Sequence, residues 1–308
     1  MTDRFRLVTR SDMDGLVCAV LLNELKMIND IKFVHPKDMQ DGKIEINDRD
    51  ITTNLPYVPG VYLAFDHHSS EILRNVEYDN HIIDPKAPSA ARVVFDYYGG
   101  AARFPNISAE MMMAVDKADA AQFSSEDILA PKDWELLSFL MDARTGLGRF
   151  HNFRISNYQL MMNLIDYCRN HGIDEILQLP DVRERVDVYF EHEPKAREQI
   201  QRCSTVHHNL VMLDLRGEET IWATNRFMIY ALFPQTNISI HQMWGLQKQN
   251  TVFATGKSIL NRTSKTNIGE LMLHYGGGGH ENAGTCQIDN DQAATVLAEL
   301  IARINQDG

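Results

Sequence analysis

No stretch of the chain approaches the ~20 consecutive apolar residues that a membrane-spanning helix needs. The opening residues, MTDRFRLVTRSDMDG, are charged where an export leader would be apolar. A chain that stays in the cytoplasm and has no membrane partner is therefore expected. Cysteine is scarce: Cys18, Cys168, Cys203 and Cys286 lie far apart, with no C-x-x-C pair to suggest a structural zinc site or a redox couple. Basic residues are outnumbered, 30 Lys and Arg against 42 Asp and Glu, for a formal charge of −12. That balance argues against a broad grip on duplex nucleic acid, which rests on neutralising many phosphates. It leaves room for a small anionic ligand in a local basic pocket. Internal repeats and low-complexity tracts are also missing.

What is present is length and apolar content: 308 residues, 44% hydrophobic, enough to bury the cores of two domains. In the first half, short strand-like runs (FRLVT, IKFVH, VYLAF) alternate with helical patterns, the first of these from Leu16 to Leu25. Such alternation predicts an α/β fold with a doubly wound parallel sheet. Ser89 is placed to cap a helix that Gly99-Gly100 would end. A charged, helix-forming segment, 181–204, reads as a connector in which Pro194 would kink or interrupt the helix. Beyond it NLVMLDL, TIWAT, FMIYALF, NISIHQMW and TVFATG look β-rich, and a last helix is expected over Gln292 to Ile304. The resulting plan is a domain over 1–180, the connector, and a second, smaller mixed-sheet α/β domain over 205–308.

Four features carry chemistry. Ser11-Asp12-Met13-Asp14-Gly15 falls between a predicted strand and a predicted helix, where ligands of open parallel sheets bind; the plainer reading is Asp12 as helix N-cap and Asp14 as a partner of the helix dipole. Asp66-His67-His68 follows VYLAF at another strand end and offers donors suited to Mn²⁺ or a similar ion. Asp116 and Asp119 are three apart in an apolar helical context, so they share a face on which one acid can be a ligand and the other its support. In Tyr275-Gly276-Gly277-Gly278-Gly279-His280, glycines allow backbone N–H groups to approach an anion, although a poly-Gly turn alone is often only a flexible loop.

Together and in this order, these features resemble the DHH phosphoesterase family. There the Asp-His-His motif lies in the N-terminal DHH domain and a Gly-Gly-Gly-His motif in the C-terminal DHHA1 domain. The resemblance covers nearly the whole chain and includes the segment IIDPKAPSAARVVFDYYG. Members include RecJ-type exonucleases, nanoRNases that also act on pAp, exopolyphosphatases and cyclic-dinucleotide phosphodiesterases. The resemblance implies Asp12, Asp14, His67 and Asp116 as metal ligands, with His68 facing the scissile phosphate beside Asp66. It implies Gly277, Gly278, Gly279, His280 and Arg262 as substrate contacts. Two departures stand out: Thr9-Arg10 occupies the place of an upstream His, and Asn54 that of a metal-bridging Asp. One metal position is then expected intact while the other keeps mainly Asp12. Arg10 is expected to supply positive charge there, and Asp119, Asp84, Asp48 or Asp50 could support the site.

The implied activity is a phosphoesterase or phosphodiesterase using one or two Mn²⁺ or Mg²⁺ ions. It would hydrolyse a short single-stranded oligonucleotide, a dinucleotide or a small nucleotide in the cleft between domains, within a homodimer. The competing readings are an exopolyphosphatase, or a nucleotide- or polyphosphate-binding protein whose catalysis has decayed through Asn54 and Arg10.

Overall fold

The computed structural model describes residues 4–68, 78–150 and 152–308. The chain divides into two compact units, one of residues 1–122 with 131–188 and the other of residues 123–130 with 189–308.

The first unit is built on a five-stranded sheet, β1 (Phe5–Thr9), β2 (Ile28–Phe33), β3 (Asp50–Thr53), β4 (Leu63–Asp66) and β5 (His81–Ile83), in the order β2-β1-β3-β4-β5. Every pairing in it is parallel. Because the strands run the same way, their carboxyl ends share one edge, and the turns that leave that edge converge. Helix α1 (Met13–Glu24) follows β1 and has a continuous buried stretch from Met13 to Leu22. A helix apolar on all sides must be surrounded, and α1 is covered by α3 (Ala90–Tyr97), α4 (Ala109–Asp119) and α7 (Asn157–Asn170). The short helix α2 (Pro36–Gln40) follows β2, and α6 (Asp133–Met141) and α8 (Ile173–Gln178) complete this unit, while α5 (Ser125–Leu129) belongs to the second. Ser89 does cap α3, its hydroxyl accepting the Arg92 N–H at 3.0 Å. Gly99, just past its end, takes a left-handed conformation at φ +107°.

Two strands escape a reading by hydrophobic runs. β3 is a four-residue DITT segment with only one large apolar residue, and β5 is the tripeptide HII. Their place in the sheet is set by parallel pairing with longer neighbours, which short sequences do not advertise.

Helix α9 (Pro180–Arg202) continues past Pro194, so the proline does not end it. The second unit carries a six-stranded mixed sheet of β6 (Ser204–His207), β7 (Leu210–Asp214), β8 (Ile238–Trp244), β9 (Thr251–Lys257), β10 (Gly278–His280) and β11 (Ala283–Ile288). Its order is β10-β11-β9-β8-β7-β6, antiparallel except for β7 with β8. The segment FMIYALF forms a helix, α10 (Met228–Leu232), and TIWAT forms no strand. Its core joins Ile238, Ile240 and Phe253 of the sheet to Met272 of α11 (Ile268–His274) and Leu300 and Ile304 of α12 (Ala293–Asp307). No helix among the described residues is long and apolar enough to cross a membrane.

Candidate metal centre

The centre forms where β1, β3 and β4 end. Asp12 caps α1, its carboxylate accepting the Gly15 N–H at 3.0 Å. A Cβ at Gly15 would lie 2.0 Å from the Arg10 carbonyl oxygen, so the turn closes this tightly only around glycine. Asp14, in the first turn of the helix, is buried and points toward the start of α3, where it accepts the N–H groups of Ala90 at 3.0 Å and Ala91 at 2.7 Å. A helix N-terminus is suited to this task, since its first amides have no partners within the helix and its dipole favours a negative charge.

His67 comes from the other side. Its Nδ1 lies 3.1 Å from the Ala87 carbonyl, to which it donates, and its Nε2 lies 2.7 Å from Asp119 Oδ2 without the alignment of a hydrogen bond. A backbone carbonyl on one imidazole nitrogen, leaving the other for a cation, is the usual arrangement of a metal-binding histidine. Asp14, His67 and Asp119 offer ligand atoms within 4.8 Å of one another. Asp66 belongs to a second such group with His67 and His68, but its Oδ1 is occupied locally. It receives the His67 N–H at 2.8 Å and stands 2.7 Å from His68 Nδ1. Asp66 thus fixes the ring of His68, a half-exposed side chain.

The electrostatics fit a cation. Burial lowers the His67 pKa, but the contact with Asp119 and the charges of Asp119, Asp14 and Asp66 outweigh it and carry the group up to about 9. Asp14 is raised well above the ordinary carboxylate range by burial, then by Asp119 and Asp12. Asp12 is raised as well by burial, with Arg10 opposing the shift. Burial and neighbouring acids disfavour the charged forms of Asp12 and Asp14, and a positive ion would relieve that cost. Asn54, just past β3, adds an orphan: it is 1% exposed, sits at φ +54°, and neither amide atom has a hydrogen-bond partner. A polar side chain buried without a partner at a strand end of this sheet fits a place built for a bound ion or its ligands.

The remaining residues named from the sequence fall as follows. Asp116, expected as a ligand, is not in either donor group: its carboxylate accepts the Ser89 hydroxyl at 2.7 Å and the Arg92 Nε–H at 3.0 Å, and Asp119 takes the position beside His67. The two acids share a helix face, but Asp119 stands one turn nearer the carboxyl end of α4. Arg10 lies at the centre, its Nε 3.1 Å from Asp12 Oδ2. Asp50 is at the opposite end of β3, buried against Arg6 at 2.7 Å, and Asp48 is exposed. Asp84 is exposed, accepts the Lys86 N–H at 2.9 Å, and sends its own N–H to the Asp66 carbonyl. In the second unit, the glycine run starts as a turn at Gly276 and passes into edge strand β10, where Gly278 pairs with Thr285 and His280 with Ala283. Gly278 and His280 are exposed, and His280 Nδ1 accepts the Asn282 N–H at 3.3 Å. Arg262 is exposed, with Nε donating to the Ile259 carbonyl at 3.0 Å. Reading the sequence missed Arg92, the Ala87 carbonyl and the Ala90 and Ala91 amides. Only the capped start at Ser89 marked that segment, because backbone groups carry no sequence signature.

Acidic and imidazole donors gathered at the carboxyl edge of a parallel sheet, followed by a second α/β unit, fit a phosphoric ester hydrolase, a class the comparisons bear out. No protein-family model matches the chain. The solved structure of the pGpG-specific phosphodiesterase PggH from Vibrio cholerae is 64% identical, with a TM-score of 0.89 over 99% of this chain and 100% of that one. The chain belongs to the same family, the DHH phosphoesterases. A curated relative, the A-adding tRNA nucleotidyltransferase of Aquifex aeolicus (strain VF5), is 23% identical over 94% of this chain. The chain spans about a third of that protein's length, 34%. The RecJ exonuclease bound to manganese, 13% identical over 98% of this chain and 90% of that one with a TM-score of 0.49, is too remote to bear on activity.

Proposed function

We propose that this protein hydrolyses a linear 5′-phosphorylated dinucleotide of the pGpG type to mononucleotides, with Mn²⁺ or Mg²⁺ on Asp14, His67 and Asp119. The single observation that carries the substrate is the 64% identity to a pGpG-specific phosphodiesterase along the full length of both chains. Asp12 and Arg10 pair at the end of β1, and Asn54 follows β3, the neighbouring strand in the sheet. A divalent ion bound there would make a water nucleophilic near neutral pH and neutralise charge on the phosphate.

The protein's own part is orientation. The Ala90 and Ala91 amides fix Asp14, and the Ala87 carbonyl fixes His67. With His68 Nδ1–H held on Asp66, its Nε2 is positioned to exchange a proton with a phosphate or leaving-group oxygen. Gly277, Gly278, Gly279, His280 and Arg262 are proposed to hold the remote phosphate or nucleotide, since β10 offers glycine backbone with no side chain in the way. The enzyme is proposed to work in the cytoplasm, as a homodimer and without binding duplex nucleic acid.

The test is turnover of pGpG beside pAp, other dinucleotides, short RNAs, cyclic dinucleotides and polyphosphate, each with Mn²⁺ and with chelator. Preferred, metal-dependent cleavage of pGpG is expected. Equal cleavage of all of them, or none, overturns the substrate assignment.

A further inference from the structure

We infer that the centre takes one divalent cation and that the Arg10 guanidinium, seated on Asp12, stands as the second positive charge. The inference rests on the metal-dependent reading above and concerns how charge is shared within it.

A pair of divalent ions at a phosphate-cleaving centre lies roughly 4 Å apart and needs anionic ligands around both. Among the described residues, Asp14, His67 and Asp119 make one three-ligand group. The other three-donor group, Asp66, His67 and His68, shares His67 with the first, and its Asp66 Oδ1 is taken by the His67 N–H and His68 Nδ1. Asp12 is outside both groups and already carries Arg10 at 3.1 Å. In addition, it spends an oxygen on the Gly15 N–H. A second ion would have to share that carboxylate with a guanidinium already held against it as an ion pair.

Asn54 leads to the same count. In the sheet order β1-β3-β4, the position after β3 lies between the Arg10–Asp12 turn and the Asp66–His67 turn. That is where a ligand shared by two ions would stand. Asn54 occupies it with a neutral amide, tied in by its backbone N–H to the Phe65 carbonyl at 3.1 Å. A neutral amide oxygen is a poor bridge between two divalent ions, while its NH₂ donates well to a phosphate oxygen.

The guanidinium differs from an ion in what it can do. It cannot be removed by chelation, and its planar donors can grip a phosphate oxygen while one edge remains on Asp12. Arg10 is therefore assigned to substrate phosphate and Asn54 to a donor role beside it.

Manganese titration of the full-length, metal-stripped protein by calorimetry, with electron paramagnetic resonance of the bound ion, reads the count directly. One Mn²⁺ per chain is expected, with no spin coupling between neighbouring ions. Two coupled ions in the wild-type chain overturn the inference but leave the metal-dependent reading intact, whereas no bound Mn²⁺ overturns that reading itself. Combining Arg10→Ala with Asn54→Asp frees Asp12 and adds a bridging carboxylate, so a second equivalent is expected. A count that stays at one shows that these two residues do not decide it. Arg10→Ala alone should raise KM for pGpG about tenfold with the first Mn²⁺ still bound, and Arg10→Lys should recover part of that loss. Unchanged kinetics in Arg10→Ala would remove the guanidinium from the phosphate.

Discussion

Arg92 closes its guanidinium on the carboxylate of Asp116, and this pairing separates two acids that share one face of α4. Asp116 also accepts the hydroxyl of Ser89, the residue that caps α3, and the first amides of α3 hold Asp14. One carboxylate thus steadies the helix end that orients another, while Asp119 meets His67.

The two acids should respond differently to loss of charge. Asp119→Asn should abolish tight Mn²⁺ binding. Asp116→Asn should weaken it by about 10–100-fold, the range for a residue that positions a ligand, with Mn²⁺ still bound at high concentration. Calorimetric titration of both variants checks this, and equal losses would return Asp116 to the ligand set.

His67→Ala should abolish both metal binding and turnover and leave the fold intact, because the ring lies at the sheet edge and contributes little to the core. Circular dichroism and thermal melting beside Mn²⁺ titration separate loss of the ligand from loss of the fold.

Metal affinity should depend on pH in a defined direction. In the metal-free chain His67 holds its proton up to about pH 9, and a cation needs the neutral ring. Apparent Mn²⁺ affinity should therefore climb from pH 6 toward 9, by about tenfold per unit for one displaced proton, and then level off. Proton release measured in two buffers of different ionisation enthalpy gives the count, and a flat profile would remove His67 from the ligands.

The glycines of β10 should not be equivalent. A Cβ at Gly278 meets nothing within 4 Å, whereas one at Gly279 would lie 2.3 Å from the Ala283 carbonyl oxygen. Gly278→Ala should change stability by no more than about 0.5 kcal/mol, and a bulkier Gly278→Val should raise KM with Mn²⁺ affinity unchanged. Gly279→Ala should cost about 1–3 kcal/mol through crowding. Melting curves and steady-state kinetics on the variants decide between a substrate edge and a plain structural strand.

Where polar chemistry interrupts an apolar pattern, the sequence is informative. The acids of SDMDG and the DHH triplet stand at strand ends because VYLAF and FRLVT are readable as strands, and the parallel sheet then brings them together. Asp116 and Asp119 could not be told apart, since spacing gives the shared face but not which end of it meets His67. The helix over FMIYALF was hidden for a related reason: five helical residues are too few for a 3.6-residue period to stand out against aromatic and β-branched content. DITT and HII are strands by virtue of their neighbours.

The close approach of Gly15 to the Arg10 carbonyl has a bearing on how such chains diverge. The glycine is demanded by the bend of the chain, and the acids on either side of it by the reaction. A descendant that abandoned catalysis would be free to lose Asp14 and His67 but would still need the glycine to fold. A search keyed on Gly15 therefore retrieves the architecture, living or retired, whereas only one that also demands the neighbouring acids retrieves working enzymes.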